Sequence, residues 1–327
     1  MVQQVYNQLE IGRWLMACQF HVMLNAGLPI HGGDSALAAL DRIESLEANL
    51  SVYKPDSDIS KLNRNAAQSP QRVSADVISI LELARQVHLE TDGAFDMTAA
   101  SLSEAWGFAR RQGHHPTKEQ IELALSKVGM RHVNVDETNR TVAFDKDGLQ
   151  LNSGGIGKGY ALDQAKEILQ RDGIKDFLIH GGHSSVLASG NRYDIDSQVG
   201  WRIAVLHPEQ PKLQLGSIRL ENQALGTSGP ANQFFYYNGI RYGHIIDPRT
   251  GWPASGMLSV TVIHPSAGWA DALATGLYVM GIEPAIAYCE RHSETGMIAI
   301  LPTKLQGEVE IVTCNIDKDA WTNARDS

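Results

Sequence analysis

The stretch Gly154-Gly155-Ile156-Gly157-Lys158-Gly159-Tyr160 runs straight into Leu162, Ala165, Ile168 and Leu169, which recur at helical spacing. A glycine-rich turn that opens a helix lets backbone N–H groups approach an anion, and the helix N-terminus favours negative charge there. Two familiar nucleotide-binding folds fail on this stretch. A P-loop, GxxxxGK(S/T), needs glycine where Asn152 stands and a hydroxyl residue where Gly159 stands. A dinucleotide fingerprint, GxGxxG read from Gly157, fails at Leu162. Two readings of the loop remain, an anion cradle and a plain strand–helix turn.

Outward from this loop, strands and helices mix without the regular alternation of a parallel α/β fold. Phe177-Leu178-Ile179-His180-Gly181-Gly182-His183 reads as a buried strand ending in a tight turn. Met16–Leu24 reads as a strand, with Phe20, Val22 and Leu24 alternating. Asp34 is expected to cap a helix whose inner side carries Leu37, Leu40, Ile43, Leu46 and Leu50. The segment from Ser51 to Asp58 reads as loop. Ser74 opens a second helix, with Val77, Ile78, Leu81, Ala84 and Val87 inward and Gly93 beyond its end. Thr117 and Gln120 form a capping-box pattern for a helix that stops at Gly129. Short strands with Asn/Asp/Gly turns follow from Val133 to Asn152, and further strands at Trp201–Leu206 and Gly216–Leu220. The end of the chain reads as two helices and at least two strands. There are no repeats and no linker. The expectation is a single α+β unit of mixed sheets with packed helices over residues 1–327.

The 327 residues are 43% hydrophobic and 20% charged, an ordinary globular balance, and the net charge of −9 with no basic stripe argues against nucleic-acid binding. The three cysteines, Cys18, Cys289 and Cys314, have neither disulfide-framework nor zinc spacing and read as reduced thiols. Leu15-Met16-Ala17-Cys18 looks like a lipoprotein cleavage site, but the segment Met1 to Glu10 is polar and lacks Lys or Arg, and no apolar run of signal length precedes the site. The chain as given therefore reads as cytoplasmic, without a membrane span.

The chemistry concentrates in two later segments. Gly243-His244-Ile245-Ile246-Asp247-Pro248-Arg249-Thr250-Gly251 gathers a base, an acid and a guanidinium around a turn. An imidazole titrates near neutrality, so His244 can take a proton from a hydroxyl nucleophile. In Ala270-Asp271-Ala272-Leu273-Ala274-Thr275-Gly276, Asp271 and Thr275 stand four apart and share a helix face. Carboxylate and hydroxyl oxygens suit Mg²⁺, and a carboxylate in so apolar a helix needs a partner. The plain alternative is that Asp271 caps its helix. Together these features suggest metal-assisted chemistry on a phosphate-bearing substrate. Tyr53 reads either as a surface tyrosine or as a flat face for a ring.

Taken in order, the pieces resemble the ApbE family of FAD:protein FMN transferases, from about Leu15 to Gly281. The matching residues are Met16, Ser51-Val52-Tyr53, Ser57 to Asn63, Gly93-Ala94-Phe95-Asp96 and Trp106-Gly107-Phe108. They continue with the glycine loop, Gly181-Gly182, Thr227-Ser228-Gly229, His244 to Gly251 and Ala270 to Thr275. The resemblance implies that FMN passes from FAD, with Mg²⁺, to a threonine or serine hydroxyl of a target flavoprotein, and that AMP leaves. It implies His244 as the base, and Asp271, Thr275 and the Gly155 carbonyl as metal ligands. Met16, Tyr53, Ala94, Phe95, Asp96, Asn152, Lys158 and Ile245 would line the FAD site. The chain departs from the family where Asn152 replaces an aspartate and where Pro230 follows Ser-Gly. Two alternatives stand beside transfer, a non-catalytic FAD-binding protein and a metal-dependent FAD pyrophosphatase.

Overall fold

A computed structural model describes residues 8–25, 31–192, 199–230, 233–305 and 307–324. Helices and strands mix in an α+β architecture. Its centre is an eight-stranded sheet whose strands follow chain order, every neighbouring pair antiparallel. They are Leu9–Leu15, Cys18–Leu24, Phe177–Gly181, Ser185–Ser189, Gln223–Ser228, Ser259–His264, Gly296–Pro302 and Val309–Cys314. Antiparallel strands need no crossover helix, so the helices fall in long insertions between strands. The largest core cluster joins helices Gly32–Leu50, Ala75–Glu90, Gly157–Arg171 and Ala267–Met280 to the sheet. A second cluster, with Leu178, Val186, Trp201 and Leu220, joins it to a three-stranded sheet of Trp201–Leu206, Gln214–Leu220 and Trp321–Asn323. Another three-stranded sheet is formed by Gln71–Arg72, Thr141–Phe144 and Val133–Asp136. Among the described residues no helix is long and apolar enough to cross a membrane.

Several expectations hold in detail. Thr117 and Gln120 make a capping box, each side chain bonding the other's backbone N–H. All five inward residues named for the second helix are buried, and Ser74 is its N-cap position. Others need correction. Residues 16–24 are not one strand. Met16 and Ala17 form the two-residue turn of a hairpin with φ of +48° and +60°, and Leu15 pairs with Cys18. Such a turn ordinarily carries Asn-Gly, so its local signal is missing and tertiary pairing imposes it. The first helix begins at Gly32 with His31 as N-cap, so Asp34 sits in its first turn rather than capping it. Leu37 is exposed, and Ala36 and Ala39 take the inner positions. Ser57, near the end of the expected loop Ser51 to Asp58, caps a helix, Asp58–Asn65. The capping-box helix ends at Leu125 rather than at Gly129, which precedes a short 3-10 turn at Met130–His132.

Helices Gly157–Arg171 and Ala267–Met280 lie backbone against backbone and cap each other. Asp271 Oδ2 accepts the Gly159 N–H at 3.1 Å. In return, Asp163 accepts the N–H groups of Ala267 and Gly268, each at 2.9 Å. Each carboxylate thereby satisfies orphan N–H donors at its neighbour's positive end. Glycine makes the approach possible. A Cβ on Gly159 would sit 2.0 Å from the Ala267 carbonyl oxygen, and one on Gly226 would sit 2.5 Å from that of Ala270. The clash at Gly159 is with backbone, so Gly159→Ala should force the helices apart. We expect a loss of about 3 kcal/mol, checked by urea unfolding. An unchanged midpoint would show that the helix pair relaxes freely.

Candidate active site

The helix pair and the adjoining sheet carry the functional groups to one cavity of about 870 Å³. Its walls include Tyr53, Ala94, Phe95, Asp96, Asn152, Gly155, Lys158, His244, Ile245, Asp271 and Thr275. Every site residue named from the sequence therefore meets here except Met16. Met16 lies on the hairpin turn outside the lining, and its N–H donates to Glu47 Oε1 at 3.1 Å.

Asp271 and Thr275 project from one side of Ala267–Met280. Asp271 is buried. Its Oδ1 accepts the Ser185 hydroxyl at 2.9 Å, its Oδ2 accepts the Gly159 N–H, and Lys158 Nζ lies 3.8 Å from Oδ2. The partner that this buried carboxylate was expected to need is supplied in part by these protein donors, and the Asp271 side chain also lines the cavity. It does not cap its own helix, whose N-cap is Ser266. The Thr275 hydroxyl shares a hydrogen bond with the Ser228 hydroxyl at 2.9 Å. A Cβ on Gly155 would stand 3.3 Å from Thr275 Oγ1, which places the glycine loop directly over that hydroxyl.

This donor set fits a magnesium ion. It offers hard oxygens with a single carboxylate, the pattern in which phosphate oxygens and water complete the shell. Among the described residues no group of three or more His, Cys, Asp or Glu could hold a metal, so a metal here would rest on Asp271 with hydroxyl, carbonyl and substrate oxygens.

His244 follows the strand Ile240–Gly243. Its backbone N–H donates to the Gln233 carbonyl at 3.1 Å, and its Nδ1 lies 3.2 Å from the same oxygen. A carbonyl only accepts, so this contact puts the proton on Nδ1 and leaves the Nε2 lone pair free. Burial pushes the imidazole below its ordinary range, partly opposed by that carbonyl. The ring is thus a neutral base at pH 7. Ile245 also lines the cavity, and Asp247 to Gly251 build the turn that follows it. Asp247 holds Arg249 through two hydrogen bonds of 2.8 Å and closes the turn by accepting the Gly251 N–H at 2.8 Å. Trp106 Nε1 donates to the Gly251 carbonyl at 2.8 Å.

Asp96 is buried at its carboxylate and accepts the N–H and hydroxyl of Thr98. Phe95 is 4% exposed and Tyr53 is 79% exposed, so only Tyr53 is free to fold over a ligand. Asn152 Oδ1 accepts the Gly154 N–H at 2.8 Å, a bond that an aspartate could make equally. The amide thus preserves the loop geometry while removing a negative charge. Sequence reading assigned no role to Ser185 or Ser228, which orient Asp271 and Thr275. Thr227-Ser228-Gly229 was visible as a pattern, whereas Ser185 carries no local signal.

The ApbE family model matches residues 16–301. An FAD:protein FMN transferase of Vibrio cholerae is 33% identical over 259 residues, covering 77% of this chain and 75% of the relative. One of Escherichia coli K12 is 32% identical over 242 residues, covering 72% and 68%. Among solved structures, the flavin transferase ApbE from Vibrio cholerae superposes with a TM-score of 0.82 at 28% identity, covering 94% of this chain and 97% of the other. The apo flavinyl transferase ApbE of Pseudomonas stutzeri gives 0.83 at 26% identity, covering 96% of each.

Proposed function

The chain belongs to the ApbE family, and on that footing we propose that it is an FAD:protein FMN transferase. It takes FMN from FAD, joins it to a threonine or serine hydroxyl of a target flavoprotein and releases AMP, with residues 1–327 acting as one catalytic unit. The observation that carries this reading is the convergence on one cavity of a half-buried base whose proton affinity is lowered and a one-carboxylate, hard-oxygen cluster.

Phosphoryl transfer asks for positioning and charge neutralisation more than for covalent chemistry. His244 Nε2 takes the proton of the acceptor hydroxyl as its oxygen bonds to the FMN phosphorus. The bond from that phosphorus to the bridging oxygen breaks, and AMP leaves with the electron pair. Asp271, Thr275 Oγ1 and the Gly155 carbonyl would hold Mg²⁺, which neutralises charge on the pyrophosphate. Lys158 adds a fixed positive charge beside Asp271. Ser185 and Ser228 orient Asp271 and Thr275. Tyr53, Ala94, Phe95, Asp96, Asn152 and Ile245 line the FAD site, and Met16 supports it from the adjacent hairpin.

Incubation with FAD, Mg²⁺ and threonine-bearing peptides, read by mass spectrometry with AMP measured alongside, tests this function. Covalent FMN on the peptide with equimolar AMP is the expected outcome. AMP with free FMN and no modified peptide would favour the pyrophosphatase. Bound FAD without AMP would favour the non-catalytic binder.

A further inference from the structure

The two-stranded hairpin Phe234–Tyr237 and Ile240–Gly243 stands apart from the other sheets and is closed by Asn238 and Gly239, both at positive φ. Opposite residues of an antiparallel pair share a face. Phe235, Tyr237 and Tyr242 lie on the inner face. Tyr242 and Phe235 pack against Trp106 at 5.3 and 6.3 Å, and Tyr237 stacks on His115 at 4.5 Å. Phe234, Tyr236 and Arg241 occupy the other face. The Phe234 and Tyr236 rings meet edge to face at 5.7 Å, and the Arg241 guanidinium covers Phe234 at 4.0 Å while pairing with Glu209. This face is open to solvent, with Phe234 41% and Tyr236 66% exposed. Adjoining exposed aromatics of this kind mark interaction surfaces.

The hairpin is continuous with the reacting centre. It begins directly after Gln233 and ends directly before His244, and the two are bonded to each other. Phe234 belongs both to the open face and to the cavity wall. A polypeptide hydroxyl that enters the cavity at His244 brings its flanking residues close to this rim, of which Phe234 is part. Both outer edges of the hairpin lack a pairing strand among the described residues, so its backbone can also receive an extended segment.

We propose that the Phe234, Tyr236 and Arg241 face is the docking surface for the acceptor polypeptide, which lies as an extended segment with apolar side chains against the two rings while its hydroxyl enters at His244. This inference rests on the transferase reading. The test uses short synthetic peptides with a fixed central threonine and randomised flanks, together with N-acetyl-threonine methylamide, which is too small to touch the hairpin. The wild type should modify peptides with apolar residues at defined flanking positions. Tyr236→Ala should lower kcat/KM for the preferred peptides about tenfold, mainly through KM. It should leave FAD affinity, thermal stability and the reaction of the small amide unchanged. Equal peptide kinetics in wild type and Tyr236→Ala, or no flanking preference in the wild type, would overturn the docking surface while leaving transfer intact. A wild-type dimer that Tyr236→Ala converts to monomer would give the face to a second copy instead. FAD binding with no modified peptide or amide would refute the transferase reading, and the docking surface with it.

Discussion

His244→Ala is expected to lower FMN transfer about a thousandfold, the range lost when a positioned general base is removed, while FAD affinity and the melting temperature hold. The imidazole is half-buried, its hydrogen-bond acceptor among the described residues is the Gln233 carbonyl, and the His244 backbone N–H still donates to that oxygen when the ring is gone. The substitution therefore removes a base without dismantling the hairpin. A pH signature accompanies it. Burial lowers the imidazole's proton affinity, so the base stays neutral until the pH falls below the ordinary imidazole range. Wild-type kcat/KM should be flat near neutrality and decline only on that acid side. The residual rate of His244→Ala should lack this limb. A variant that transfers FMN at the wild-type rate would remove His244 from the chemistry.

Replacement of Asp271 should be nearly as damaging, but for two separable reasons. The carboxylate supplies the single anionic oxygen of the proposed magnesium site, and it also receives the Gly159 N–H and the Ser185 hydroxyl. In Asp271→Ala both donors and the Lys158 ammonium lose their partner, at a cost of about 1–2 kcal/mol for the lost helix cap. Asp271→Asn keeps one oxygen for the Gly159 N–H, loses the charge, and turns the other oxygen into an NH2 donor toward Ser185, whose hydroxyl can rotate to accept it. We expect both variants to lose at least about a hundredfold in transfer, in line with the several kcal/mol a metal contributes to such a step. Only Asp271→Ala should unfold earlier. Titration with Mg²⁺ decides the cause, because a metal ligand's loss should raise the concentration for half-maximal rate. An unchanged Mg²⁺ requirement in Asp271→Asn would count against the ligand role.

Legibility from sequence followed the range of the interactions. Helix Ala75–Glu90 was readable because its burial repeats every three to four residues, and all of its inward positions are buried. The capping box at Thr117 was readable because both partners lie within one turn. The hairpin turn at Met16 and Ala17 was not, since neither residue favours positive φ and only strand pairing imposes it. Ser57 was missed as a cap because the helix it opens is short and starts inside a turn-rich stretch. Asp271 was marked as a carboxylate that needs a partner, but its protein donors were not readable, because they come from positions 159 and 185.

By itself, the sequence determined the mixed α+β character, the helix that carries Asp271 and Thr275 on one side, and the family, through motifs whose order along the chain is specific. These depend on local periodicity, turn residues and short spacings, which are properties of contiguous chain. Only the tertiary structure decided that loops around residues 95, 155, 228 and 244 share one cavity, since that depends on an antiparallel sheet threading the chain through distant segments. It alone decided that Asp271 caps a neighbouring helix, that the His244 Nδ1 faces the Gln233 carbonyl, and that one aromatic face is left open at the cavity rim. Each is set by groups far apart in sequence whose approach requires the packed fold, and Gly159, by leaving room for two backbones to touch, is the residue on which that approach turns.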